Sequence, residues 1–212
     1  MTDVKRRPYR SPQRRARAEA TRRAILVSAH RLFVGRGYGG ATVEAIAQDA
    51  GVAPPTVYAA FGSKRGLLFS LLDRMAEDAD LSGLQAALAA AAGDPPRQLR
   101  AQIAFNVRFY DAGFDLIDIA RTVAGVEPDL GEMWREGEAR RHRAQSALAA
   151  GWAAAGALAP GLSAGQATDV LWALSGPDLF RLLVVEQKWD LARFESWLGE
   201  VLARELFGLS SA

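Results

Sequence analysis

One glycine separates two short helical patterns in "TVEAIAQDAGVAPPTVYAAF", Thr42 to Phe61, and the second pattern opens on two consecutive prolines. Few folds accommodate that arrangement. Thr42 is a candidate N-cap, and Val43, Ile46, Ala47 and Ala50 follow at helical spacing. Gly51 stands where a left-handed residue ends a helix cheaply. The first N–H groups of a helix have no intrahelical acceptor, so Pro54 and Pro55 sacrifice nothing in a first turn. They also leave little to cap, which lets Ala53 stand where Ser or Thr is usual. Pro55 pushes Pro54 away from the α region, so a start at either proline stays open. Val57 and Phe61, four apart, face inward, leaving Thr56, Tyr58 and Ala59 to face outward. Upstream, "TRRAILVSAHRLFVGRG" puts Ile25, Ala29, Leu32 and Phe33 on one face, and "GRGYGG" (35–40) makes a turn. Two short helices joined by a glycine turn and packed on a preceding helix form a helix-turn-helix, whose second helix enters the major groove of DNA.

Charge supports that reading. Residues 1–75 hold fourteen Lys/Arg and five Asp/Glu, a surplus of nine, although the whole chain of 212 residues carries only +2. The remainder is therefore acidic by seven. A basic front and an acidic rear suit a chain of which one part meets a polyanion. Alanine and leucine dominate, β-branched residues are thin and no period-2 strand stands out, so the expected fold class is all-α. There is no cysteine, and no apolar run is long enough for a signal peptide or a membrane span, which predicts a cytoplasmic protein with no membrane partner. An enzyme finds little support. The two histidines, His30 and His142, lie far apart, and G-x-S-x-G, H-E-x-x-H and glycine-rich phosphate loops are missing. No metal or cofactor is expected.

"TVEAIAQDAGVAPPTVYAAFGSKRGLLFSLLDRM" resembles the DNA-binding segment of the TetR family of transcriptional regulators, and the likeness runs from about Thr21 to Met75. The resemblance implies a homodimer of all-helical subunits, each with an N-terminal helix-turn-helix and a larger C-terminal domain for dimerisation and a small-molecule effector. It implies phosphate contacts at Thr42 and Tyr58, and another at Lys64 behind the Ser63 cap of the fourth helix. Ala53, Pro54, Pro55, Thr56 and Ala59 fall on the surface that faces base edges in the family. The sequence departs from the commoner pattern there, which has Ser at the Ala53 position and often a basic residue nearby. Prolines donate nothing and alanine offers only a methyl contact, so direct readout should be poor. Residues 5–23 hold nine Lys/Arg against Glu19 alone. With Pro8 and Pro12 keeping its first part non-helical, this stretch reads as a mobile arm before Arg14 that follows the phosphate backbone or enters the minor groove, with Arg14, Arg15 and Arg17 as further DNA-binding candidates. The expected organisation is an arm over 1–20, the DNA-binding domain over 21–66 and the effector and dimerisation domain over 67–212.

The rear is less explicit. Candidate helices fall at about 80–93, 96–112, 114–125, 128–157, 163–188 and 190–207, with Pro177 kinking or breaking the fifth. Leu191, Phe194, Trp197, Leu198, Val201, Leu202 and Leu206 form a broad apolar stripe on the last helix. The expected dimer interface is a four-helix contact built from Leu171, Leu174, Leu179, Leu183, Phe194, Trp197 and Val201. Phe105, Phe109, Phe114, Trp134, Trp152 and Trp172 are candidates to line a pocket, with Asn106, Arg108, Arg121 and His142 as possible polar groups. Such a pocket suits an apolar or weakly polar effector. The resulting expectation is a regulator of a palindromic operator, a repressor released by its effector. The alternative is a helix-turn-helix derivative that binds a protein partner without operator readout.

Overall fold

The computed structural model describes residues 12–209. Helix α1 is Pro12–Gly40, α2 is Val43–Asp49, α3 is Pro54–Phe61 and α4 is Lys64–Asp78. The described residues divide into two compact units that meet within α4, between Leu71 and Leu72.

The first unit begins earlier than its sequence suggests. Pro12 sits at the head of α1, where its missing N–H would have had no partner, so the chain is helical from there. Arg14, Arg15 and Arg17 are thus exposed residues of a helix. The arm's residues 1–11 lie outside the described residues. Regular helix ends at Gly37 (φ 68°, ψ 166°), inside the expected 35–40 turn. Beyond it Tyr38 folds back and stacks on Phe33, ring centroids 5.5 Å apart. Ile25, Ala29, Leu32 and Phe33 are buried with Val43, Ile46, Ala47, Val57, Leu67 and Leu68. Here helical spacing correctly gave the core face.

The second unit contains α5 (Leu81–Ala90), α6 (Pro95–Asp111), α7 (Phe114–Ala124), α8 (Pro128–Ala154), α9 (Ala164–Leu174), α10 (Pro177–Phe180) and α11 (Leu191–Phe207). A π-helical turn, Arg181–Glu186, continues α10. Helix α8 packs on α7 and α9, and α6 packs on α5 and α11. The caps are local in sequence: Asp94 accepts from Arg97 N at 3.0 Å, Asp190 from Arg193 N at 2.8 Å, and Ser163 with Gln166 closes a capping box. Pro177 does break the expected 163–188 helix, because it can begin a helix but cannot continue one. Among the described residues there is no strand. No helix among them is long and apolar enough to cross a membrane.

The broad stripe on α11 separates into two rows. Phe194, Leu198, Leu202 and Leu206 are buried in the subunit's own core, whereas Leu191, Trp197 and Val201 are half-buried on its flank. Leu171 is likewise fully buried within the subunit. Leu171 and Phe194 therefore serve the internal core and are not interface residues, while Leu174, Leu179, Leu183, Trp197 and Val201 keep part of their surface. An apolar stripe marks what must be covered without saying which surface covers it.

Candidate nucleic-acid interface

The head is held together by interactions between neighbouring helices. Thr42 is exposed, and its Oγ1 accepts from Ala45 N at 3.1 Å, capping α2. That bond uses an acceptor lone pair and leaves the hydroxyl proton available to a phosphate. At the other end of α2, Gly51 N donates to Gln48 O (3.2 Å) and Val52 N to Ala47 O (2.9 Å). This paired closure needs a left-handed residue, and Gly51 supplies it with φ 67°. Helix α3 then starts at Pro54, with Ala53 as a cap residue that makes no side-chain bond. The choice between Pro54 and Pro55 is thereby resolved.

Val57 is buried, and Ala53, Pro55, Thr56, Tyr58 and Ala59 are exposed, with Pro54 intermediate. Tyr58 leaves 47% of its surface in solvent despite its large ring. The outer surface of α3 thus consists of two prolines, two alanines, one threonine and one tyrosine. The two hydroxyls are its only side-chain donors.

Lys64 makes a contact that spacing alone does not reveal. Its Nζ donates to Tyr38 O at 2.9 Å and lies 4.2 Å from the Tyr38 ring centroid. It therefore ties the start of α4 to the glycine turn, and two of its three N–H donors remain for a phosphate. Ser63 caps α4 as expected, accepting from Gly66 N at 3.0 Å. Arg22 is a positioning residue that local patterning missed. It donates to Ala60 O at 2.6 Å, and its guanidinium covers the Phe61 ring at 4.3 Å, fixing α1 against the end of α3. Arg17, five residues earlier on the same helix, lies about 8 Å further along the axis. Arg31 of α1 pairs with Asp49 at the end of α2. The hydrogen bond from Arg31, and after it one from Ser28, holds the Asp49 carboxyl below its ordinary value.

The six aromatics proposed for a pocket do not converge. Phe105 and Phe109 stack at 6.0 Å, and Phe109 leads through Tyr110 to Phe114 and Phe180. Trp152 is fully buried elsewhere. Its Nε1 donates to Gln98 Oε1 at 2.8 Å and its ring meets Phe207. Trp172 lies beneath the Arg141 guanidinium at 5.0 Å and beside His142. Trp134 is half-buried. A groove of about 350 Å³ between α6 and α11, lined by Leu99, Ile103 and Gly199 among others, is bordered by none of the six. Of the polar candidates, Arg108 reaches Ala79 O, Arg121 pairs with Asp118 and Asp178, and His142 lies 3.9 Å from Asp169.

A short helix-turn-helix with an exposed second helix, tied to a basic first helix and joined to a separate helical unit, defines the class of two-unit helix-turn-helix proteins. Residues 25–71 match the model of bacterial regulatory proteins of the tetR family. Through that segment the chain is similar to the TetR family. It is 38% identical over 85 residues to the HTH-type transcriptional regulator EthR of Mycolicibacterium smegmatis, covering 39% of each chain. It is 35% identical over 94 residues to the HTH-type transcriptional activator FasR of the same species, covering 44% of this chain and 39% of that one. The match therefore spans about two fifths of the length of these curated relatives. NalD of Pseudomonas aeruginosa, described as the secondary repressor of the MexAB-OprM multidrug efflux pump, superposes with a TM-score of 0.71 at 24% identity, over 90% of this chain and 98% of that chain. At that identity the likeness concerns the fold.

Proposed function

We propose that this chain is a homodimeric, sequence-specific DNA-binding regulator whose operator affinity is set by a small effector held in the second unit. The observation that carries the reading is Tyr58, a large side chain left exposed beside Thr56 on a helix fixed by Arg22, Gly51 and Lys64. A hydroxyl on the tip of an exposed ring is suited to a phosphate oxygen, and Thr42 and Lys64 offer further donors. Because α3 has so few donors, most of the affinity comes from phosphate contacts, and sequence preference relies on DNA shape and thymine methyls. The exposed Arg14, Arg15 and Arg17 extend the basic surface of α1.

Dimerisation uses the flank where Leu182 and Val185 are exposed, continued by Leu179, Leu183, Trp197 and Val201. The division between units falls within α4, so an effector that displaces α4 changes the separation of the two heads. Repression is the usual sign in the family, but FasR is named an activator and NalD a repressor. Selection of bound duplexes from a random pool tests the proposal. The expected product is a palindrome with half-sites about one helical turn apart. Recovery of no enriched sequence at any salt concentration would favour a protein-binding module.

A further inference from the structure

The core of the second unit contains a buried polar cluster that no apolar pattern announces. Gln102, Asn106 and Tyr110 follow at four-residue intervals on α6, all buried. Gln102 Nε2 donates to Asn106 Oδ1 at 2.9 Å. The Tyr110 hydroxyl donates to Ser175 O at 3.0 Å, and Gln145 Nε2 of α8 donates to Ser175 Oγ at 2.9 Å. Ser175 Oγ in turn donates to Leu171 O at 2.6 Å. With its proton committed there, Ser175 can only accept from Gln145, which fixes the orientation of that amide. Burial pushes the Tyr110 phenol above its ordinary value and keeps it a neutral donor.

Two atoms of this cluster have no partner. Asn106 Nδ2 is a buried donor and Gln145 Oε1 a buried acceptor, on residues only 6% and 1% exposed. They come from different helices but belong to one neighbourhood. Gln145 and Tyr110 meet at Ser175, and Asn106 is one helical turn from Tyr110, about 6 Å between Cβ atoms. Trp172 Nε1, another buried donor without a partner, stands on α9 one turn before Ser175. Unpaired polar atoms in a packed core cost stability, so a buried donor and a buried acceptor without partners require an explanation.

We infer that Asn106 and Gln145 form the polar end of the effector site, and that the effector is a neutral amphiphile whose head both accepts and donates a hydrogen bond, as a primary carboxamide does. This rests on the proposed effector control and names the chemistry of that site. The head's oxygen accepts from Asn106 Nδ2 and its N–H or O–H donates to Gln145 Oε1. Val107, Leu171 and Phe180 supply apolar surroundings for its tail. A carboxylate would set a negative charge against the Gln145 carbonyl. An ammonium would leave Asn106 unpaired. The nearest charged pair, Arg141 with Glu138 at 2.7 Å, is mutually compensated and offers neither ion a partner.

The test uses the full-length protein and three probes with one tail: octanamide, octanoate and octylammonium. Calorimetry should show octanamide binding about tenfold or more tightly than either ion, since each ion leaves a buried group unmatched. Gln145→Met and the double variant Gln102→Met/Asn106→Leu replace polar groups with apolar ones of similar volume. Gln145→Met should abolish the preference over octanoate and the double variant the preference over octylammonium, each leaving the melting temperature of the free protein equal or higher. Equal affinity for the three probes would overturn the inference. So would a preference that survives both substitutions, or clear destabilisation by both, which would mark the cluster as structural. Operator release is measured separately. Octanamide binding without release refutes effector control and leaves the site standing, whereas release by another compound with no octanamide binding refutes the site alone.

Discussion

Under the proposed function, Tyr58 and Arg22 would serve DNA binding in two different ways. Tyr58 offers an exposed hydroxyl, so Tyr58→Phe should leave melting unchanged and weaken operator binding by about tenfold or more, the usual worth of a hydrogen bond to a charged group. Fluorescence anisotropy with a labelled operator measures this directly. Arg22 acts through the head's own packing. Its replacement by Ala removes a carbonyl bond and a ring contact, and should destabilise the first unit by about 1–2 kcal/mol in a denaturant titration. Asp49 adds a pH dependence. Its carboxyl is held low in the folded state by Arg31 and then Ser28, so its contribution is present above the unfolded carboxylate value and is lost as pH falls through the folded one. Asp49→Asn should therefore lower stability at neutral pH and flatten the acid limb of the stability profile, as followed by circular dichroism.

At the scale of elements, the head depends on how closely its helices approach. Gly66 lies in the first turn of α4, and a Cβ placed there would come 1.9 Å from the Phe61 carbonyl oxygen at the end of α3. That oxygen belongs to backbone and cannot swing aside. Gly66→Ala should consequently cost about 1–3 kcal/mol and displace α4, with loss of DNA binding exceeding the loss of fold. At Gly51 the adjoining space is open, and the constraint is the backbone angle alone. Gly51→Ala should cost about 1–2 kcal/mol through its left-handed conformation and leave the DNA surface unchanged. Comparing melting temperature with operator affinity separates the two cases.

For the whole molecule, the basic head and the apolar flank make separable predictions. Replacing Arg14, Arg15 and Arg17 together by Ala should lower affinity for all sequences alike. It should also reduce the salt slope by about 0.9 for each arginine resting on a phosphate. Introducing charge at the exposed flank, as Leu182→Glu with Val185→Glu, should convert dimer to monomer in sedimentation at unchanged helix content. Operator affinity should fall with it, because two heads on one dimer bind far more tightly than one.

The helices and the reading head were legible in the sequence because their signals are local. Gly51, the prolines of α3, the caps at Thr42 and Ser63 and the four-residue apolar spacing each act within one or two turns. The start of α1 is ambiguous for a local reason as well: a proline such as Pro12 can break a helix or open one, and here it opens α1 as Pro54 opens α3. What the tertiary structure alone decided was the destination of each face. Leu171, Phe194 and Trp152 have the same apolar character as interface or pocket residues, and only packing placed them in the core. The partnership of Arg22 with Ala60, and the meeting of Tyr110, Gln145 and Ser175, join positions 30 to 65 residues apart. Periodicity within one helix carries no information about its neighbours. Local chemistry therefore determined the helices and the class of protein, and the docking of one helix on another determined which polar groups were satisfied and which were left without a partner.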